Sequence, residues 1–414
     1  MQPQIYFLVT YAQSDHMKIL TDSAAQQIDN WSKVATGTAV TKLDAKASKL
    51  TLDSGKELSY KALVLGTGFQ HETSFVEGLT EMDKADPKNN VHVHILDGKD
   101  RPERNFFNGY FSQGGDYLCY SPKAPYKGEG TDFYALYYES ILRNDQLLGT
   151  AAKGSRIQYW TPNKEIFKFP YANEVALEEC AKRGIEVVFG WELLSVRTEA
   201  SGVKVATFKN VDTGATTESE FFGAAINPPS KPVDFLQGAG VTDSQGLVDV
   251  NRYTLQHKKF ENIFAIGDCI GGETTRTYTG GISQNPIVKH NVLQFLHGRE
   301  LNAIYDGYQY MPLLLGSDYA AGLSHLHDFE PAPTNDSVPH YGLFANLYMN
   351  YVKQNQKSTA VAYGNSAKTH GPPHTHYAAR YDPLEQNEYL LARQIPLEEV
   401  RHPNAQARAL EPAV

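Results

Sequence analysis

A carboxylate set directly after a buried strand can hold a hydroxyl-bearing ligand, and this chain offers such a place. In "ENIFAIGDCI" (261–270) an apolar run from Ile263 to Ile266 reads as a buried strand that stops at Gly267-Asp268. Open α/β sheets bind ligands at the carboxyl ends of their strands, and a glycine there lets a ligand approach the backbone. Asp268 would supply a short, fixed hydrogen-bond acceptor. A second stretch, "YKALVLGTGF" (60–69), has the same form, a buried strand from Ala62 to Leu65 ending at Gly66-Thr67-Gly68. Taken alone, Asp268 reads better as a turn or helix-capping residue, and Gly66-Thr67-Gly68 reads equally well as a tight strand-end turn.

Other candidate chemistry is thin. Cys119, Cys180 and Cys269 form no CxxC pair and have no metal spacing, which excludes a disulfide framework or a zinc module and fits a reducing compartment. Cys119 reads as a small buried residue after "DYL", and Cys269 as buried beside its strand end. The "HGPPHTH" stretch (370–376) has metal-ligating side chains, but its prolines leave them without supporting partners, so no metal is expected. His325 and His327, alternating in "SHLHDFE", are expected at surface or edge positions. A net charge of −9 and the absence of a basic run argue against nucleic acid as a partner. No run of 18 apolar residues exists to span a membrane. "MQPQIYFLVTYAQ" lacks the basic start of a secretory leader, so targeting is not legible there.

The elements that must position these residues follow from pattern. At 414 residues, 41% of them hydrophobic, the chain exceeds what one core usually supports. "ASKLTLDSGKELSYKALVLGTGF" predicts a hairpin turning at Asp53-Ser54-Gly55, then the strand into Gly66. Helical spacing covers 131–143, and "SRIQYWTP" predicts a strand. "YANEVALEECAKRGIEVVFG" predicts a helix stopped by Gly184 and then a strand, one unit of a parallel sheet. "LLSVRTEASGVKVATFKN" alternates about Ser201-Gly202 as an antiparallel hairpin. "FFGAAI" is a strand, and the prolines of "NPPSKPVDFL" force an extended connection. A helix is predicted from Ile282 to Leu296, capped by Gly298, and a second, amphipathic one over 341–352. From about 353 the composition turns polar, as in an arm laid over a surface. The expected fold class is α/β, with two interleaved Rossmann-like domains, antiparallel hairpin insertions and an extended C-terminal tail. Residues 1–100 with 225–330 would form the outer domain and 101–224 the inner one, followed by 331–352 and the extension 353–414.

At "KELSYKALVLGTGF" and "ENIFAIGDC" the chain resembles the two-dinucleotide-domain flavoproteins, in which the corresponding turns border FAD. The resemblance implies that Gly66, Thr67, Gly68, Gly267 and Asp268 are what remains of an FAD site, with Asp268 accepting from a ribityl hydroxyl. The sulfide:quinone oxidoreductase branch, particularly its mitochondrial type, is closer. "NPPSKPVDFL" resembles its double-proline connection, and "LVDVNRYTLQHKKFENIFAIGDC" (247–269) the segment leading to its flavin. "YDGYQYMPLLLG" (305–316) resembles a further family segment. The resemblance runs over about residues 1–352.

Three departures follow from that resemblance. The family opens with a GxGxxG turn whose N–H groups hold the pyrophosphate, and "QPQIYFLVTYA" already resembles sequence beyond it, so the chain reads as lacking that first unit. Gly128-Glu129-Gly130 is a poor substitute. The family's paired sulfur-transferring cysteines fall near Gly128 and Met311, neither of which supplies a thiolate. Tyr278 stands where the family has alanine against the flavin, and its ring would displace the cofactor. The resemblance therefore implies a catalytically inactive relative kept as a structural or accessory subunit. Its expected place is a respiratory assembly on the matrix side of the mitochondrial inner membrane, with protein partners, peripheral membrane contact and no NAD(P). The alternative is an active FAD-dependent oxidoreductase passing electrons from sulfide or a nicotinamide to quinone.

Overall fold

The protein is described as a computed structural model over residues 35, 37–85, 91–93, 115–126, 133–147, 149, 154–168, 170–272, 276–314, 320–330, 343–346 and 383–401. Strands β1 (Val40–Asp44), β2 (Lys49–Leu52) and β3 (Glu57–Ser59) form an antiparallel meander. Asp44 accepts the Ala47 N–H at 2.9 Å in the first turn, and Gly55 closes the second. Strands β4 (Leu63–Leu65) and β5 (Phe69–His71) follow, then helix α1 (Leu79–Ala85) and β6 (Val91–Val93). Next come β7 (Tyr117–Tyr120), α2 (Ala135–Leu147), β8 (Ile157–Thr161), α3 (Pro170–Arg183) and β9 (Glu186–Phe189). A meander of β10 (Trp191–Thr198), β11 (Lys204–Asn210) and β12 (Thr216–Phe221) leads to β13 (Gly223–Ile226). Strands β6, β13, β7, β8 and β9 make a five-stranded parallel sheet in that order.

Helix α3 ends where Gly184 adopts φ 71°, as its sequence position requires. Helix α2 covers the parallel sheet with buried aromatics. Tyr138 packs on Tyr117 at 4.8 Å between centroids, and Phe133 meets Tyr159 edge-on at 4.9 Å. The antiparallel meander is tied to the same sheet by Trp160 stacked on Phe208 at 4.2 Å.

After β13 the chain returns to its earlier strands. β14 (Ser230–Pro232) pairs antiparallel with β5, and β15 (Ile263–Ala265) pairs parallel with β4. Helix α4 (Tyr278–Leu296) packs Ile287 and Val288 into a core with Leu65, Phe264 and Val248. β16 (Gln309–Leu314), β17 (Ala320–His325) and β18 (Leu343–Asn346) form an antiparallel sheet, and short helices α5 (Glu388–Ala392) and α6 (Leu397–Arg401) follow. No helix among the described residues is long and apolar enough to cross a membrane.

Four expectations are corrected. Within β4 only Leu65 is fully buried, and Val64 is 43% exposed, because β4 is paired through β15 on one side. Helix α4 begins at Tyr278 rather than Ile282, since the Thr277 hydroxyl caps it by accepting the Gly280 N–H at 3.1 Å. Residues 343–346, expected to be helical, form a strand. Pairing of Leu343 with Leu323 and Phe344 with Gly322 outweighs the helical spacing; residues 347–352 lie outside the described residues. His325 and His327, expected at the surface, are buried. His325 bonds the Leu326 carbonyl oxygen at 2.7 Å and His327 that of Tyr305 at 3.0 Å. Gly307 makes this possible, because a Cβ there would come within 2.2 Å of the His327 nitrogen. In the polar extension, residues 383–401 pack on the body: Leu384, Leu390 and Val400 share a small core with Tyr253. The "HGPPHTH" stretch lies outside the described residues.

Candidate functional site

The parallel pairing of Leu63 with Ile263 and Leu65 with Ala265 makes two carboxyl strand ends emerge side by side. Gly66, Thr67 and Gly68 thus face Gly267 and Asp268, and the five residues singled out by sequence meet at one place. The Ile266 N–H donates to the Leu65 carbonyl at 2.9 Å and extends the ladder into the turns. Gly267 has φ 75°, a conformation that explains the glycine. It opens a short 3-10 turn, Gly267–Cys269, on which Asp268 is half-buried.

Side chains that sequence reasoning passed over lie against these turns. Gln284, buried on α4, accepts the Gly267 N–H at 2.7 Å. Arg276 is 3% exposed; its Nε donates to the Asp268 carbonyl at 3.3 Å and an Nη to the Ile270 carbonyl at 3.5 Å. The same guanidinium lies 5.3 Å from the ring centroid of Phe69, the residue after Gly68. Gln309 of β16 accepts the Thr277 hydroxyl at 3.1 Å and packs against Gly280, where a Cβ would stand 3.0 Å from it. The available signal was Arg276 itself, a lone cation in the Gly- and Thr-rich loop "GGETTRTYTGG".

The thiols offer no nucleophile. Cys269 is buried, and its sulfhydryl donates to the Ile266 carbonyl at 3.3 Å. Burial raises its pKa, against the opposing pull of the Thr67 hydroxyl and the Thr67 and Gly68 N–H groups. Burial pushes Cys119 well above the ordinary thiol range and Cys180 up to about 12. Gly128 and the Gly128-Glu129-Gly130 turn lie outside the described residues. Met311 falls in β16, its backbone paired with Leu323, and the expectation attached to the Tyr278 ring lies outside the described side chains. Among the described residues no group of three or more His, Cys, Asp or Glu is placed to hold a metal.

Beyond Ile270 lies a cleft of about 350 Å³ walled by Leu255, Tyr305 and His327, with the Arg252–Asp328 ion pair (2.9 Å) in its lining. Burial, with the nearby Arg252 charge, holds His327 at a pKa of about 3, so it faces the cleft as a neutral imidazole.

No family model matches the chain. The mitochondrial sulfide:quinone oxidoreductase of Schizosaccharomyces pombe is 27% identical over 300 residues, 70% of this chain and 62% of that protein. That of Mus musculus is 29% identical over 281 residues, 67% of this chain and 59% of that protein. The chain therefore matches about three fifths of the length of these relatives. A chain of the Tetrahymena thermophila mitochondrial ATP synthase F1Fo tetramer superposes with a TM-score of 0.69 at 26% identity, covering 80% of this chain and 79% of that one. The sulfide:quinone oxidoreductase of Aquifex aeolicus shares the fold, with a TM-score of 0.61 at 15% identity over 83% of this chain and 82% of that one. The chain is thus a relative of the sulfide:quinone oxidoreductases, built on the α/β fold of the two-dinucleotide-domain flavoproteins.

Proposed function

We propose that this chain is a catalytically inactive sulfide:quinone oxidoreductase-like protein that serves as a structural or accessory subunit of a mitochondrial inner-membrane assembly. The observation that carries this reading is its likeness, at a TM-score of 0.69 over four fifths of both chains, to a chain within a mitochondrial ATP synthase. Supporting it, the resemblance puts the family's sulfur-transferring cysteines near Gly128 and Met311, neither of which supplies a thiolate, and every described thiol is buried. In this reading the chain uses neither FAD nor NAD(P), sits peripherally on the matrix side, and contributes surface rather than turnover. Fold and chemistry separate readily in evolution, so a retained frame does not require a retained reaction. The test is native electrophoresis of mild-detergent extracts. The protein is expected to migrate with a large membrane assembly, and recovery solely as a free monomer overturns the proposal.

The curated relatives at 27% and 29% identity favour a second reading, an FAD-dependent enzyme passing electrons from sulfide to quinone. It requires a purified preparation that is yellow and reduces quinone when given sulfide. A colourless protein without that activity excludes it.

A further inference from the structure

The cleft beyond Ile270 has the make-up of a binding site that neither reading of the chain uses. Its volume of about 350 Å³ lies at the lower end of the range that small-molecule sites occupy. Its floor is apolar, with Val250, Leu255 and Ile270 all buried. One wall is aromatic, where the Tyr305 and neutral His327 rings meet edge-on at 5.3 Å between centroids. Gly272 adds no side chain, and the space its Cβ would take is open. Two charges stand in the lining, Arg252 and Asp328. Arg252 spends one nitrogen on Asp328 at 2.9 Å, and among the described residues its other guanidinium donors make no hydrogen bond. The Asp328 side chain is 71% exposed, so the pair is a weak one.

The backbone points to the same place. Six non-glycine residues among those described have positive φ; Leu255 at 60° and Asp328 at 58° lie in this lining, and Phe329 at 55° follows. Leu255 is held there by bonds of its N–H to the Asn251 carbonyl at 2.9 Å and of the Ala265 N–H to its own carbonyl at 3.1 Å. Such backbone costs energy in a bulky residue, persists only where the surroundings fix it, and gathers at ligand sites.

We propose that this cleft binds a small aromatic carboxylate. The ligand's ring lies among Leu255, Ile270 and the Tyr305–His327 wall, and its carboxylate takes the Arg252 guanidinium from Asp328. A guanidinium fork matches a carboxylate in shape, and a charged bond sheltered by the cleft is stronger than the exposed pair it replaces. Edge and face contacts favour an aromatic body against such a wall. The proposal goes beyond the functional reading above and holds whether the chain serves as scaffold or as enzyme.

Purified full-length protein is titrated with 2-naphthoate and with uncharged 2-naphthalenemethanol, followed by calorimetry and saturation-transfer NMR. Wild-type protein should bind the carboxylate saturably and the alcohol about tenfold or more weakly. Arg252→Met, which keeps the apolar stem, should lose a similar factor for the carboxylate; if it does not fold, Arg252→Gln takes its place. Asp328→Asn, whose side chain tolerates left-handed backbone, should bind 2-naphthoate more tightly because the competing carboxylate is gone. Absence of saturable 2-naphthoate binding at millimolar concentration overturns the proposal. So does equal affinity for the alcohol, an Arg252 variant that binds as wild type does, or an Asp328→Asn variant that binds no more tightly.

Discussion

Buried imidazoles set an acid limit on this protein. Burial holds His325 at a pKa of about 4 and, with the Arg252 charge adding to it, His327 at about 3, against about 6.5 for an exposed histidine. Above that exposed value both states are neutral and the pair contributes no pH dependence. As pH falls from 6.5 toward 4, the unfolded chain takes up protons that the folded one refuses, so stability is lost through that window. For His325 the loss amounts to roughly 3 kcal/mol by the lower end. Urea midpoints measured across the window should fall with acidity, and His325→Gln should flatten the slope; an unchanged slope in the variant refutes the assignment. The thiols give a second prediction at this scale. Cys119, Cys180 and Cys269 are buried with raised pKa values, so an aromatic disulfide reagent should label none of them until denaturant is added. Fast labelling of native protein at any of the three would show that its side chain is reachable after all.

Helices α5 and α6 are too short to persist alone, and they hold their place by docking. Leu390 is 1% exposed in the core shared with Tyr253, Leu384 and Val400, and the Asn251 side chain donates to the Glu399 carbonyl at 2.6 Å. Arg393 pairs with Glu330 at 2.8 Å, but both side chains are partly in water. Leu390→Ala should therefore cost about 2–4 kcal/mol, whereas Glu330→Gln should cost less than about 1 kcal/mol. Chemical unfolding of the two variants checks the ranking, and a larger loss from the charge change would reverse the account of this segment. A comparable joint links the parallel sheet to the β10–β12 meander. Phe208 is fully buried against Trp160, and Phe208→Ala should cost about 3–5 kcal/mol in the same assay.

The whole molecule keeps the frame of the fold it shares with the Aquifex aeolicus protein. Strands separated by roughly 160 to 200 residues of chain still pair, β5 with β14 and β4 with β15, and the second pairing sets the two glycine turns side by side. Beside those turns Gln284 and Arg276 bond to the backbone of residues 267–270. If the chain acts as an accessory subunit, its partners recognise surface formed by the same frame. Removing it should then reduce the amount of the host assembly on native gels while leaving sulfide oxidation by the extract unchanged. A selective loss of sulfide oxidation instead would favour the enzymatic reading.

The local pattern was sufficient for elements whose signal lies within a few residues. The Asp53-Ser54-Gly55 turn, the Gly184 stop of α3 and the Ser201-Gly202 hairpin each follow from backbone preferences that act at that range. Gly267-Asp268 at the end of an apolar run was legible for the same reason. The strand at Leu343–Asn346 was not, because its pairing with β17 decides its form and no local propensity encodes a neighbour. His327 read as a surface group until the Tyr305 carbonyl and the Tyr253 and Tyr305 rings enclosed it, and His325 until folding buried it beside Leu326 and Phe329. Arg276 stood in plain view as a lone cation, but only folding brings Phe69 and the Asp268 and Ile270 carbonyls around it. Sequence determined which residues form the two turns; the pairing of β4 with β15, segments far apart in the chain, decided that those turns stand side by side.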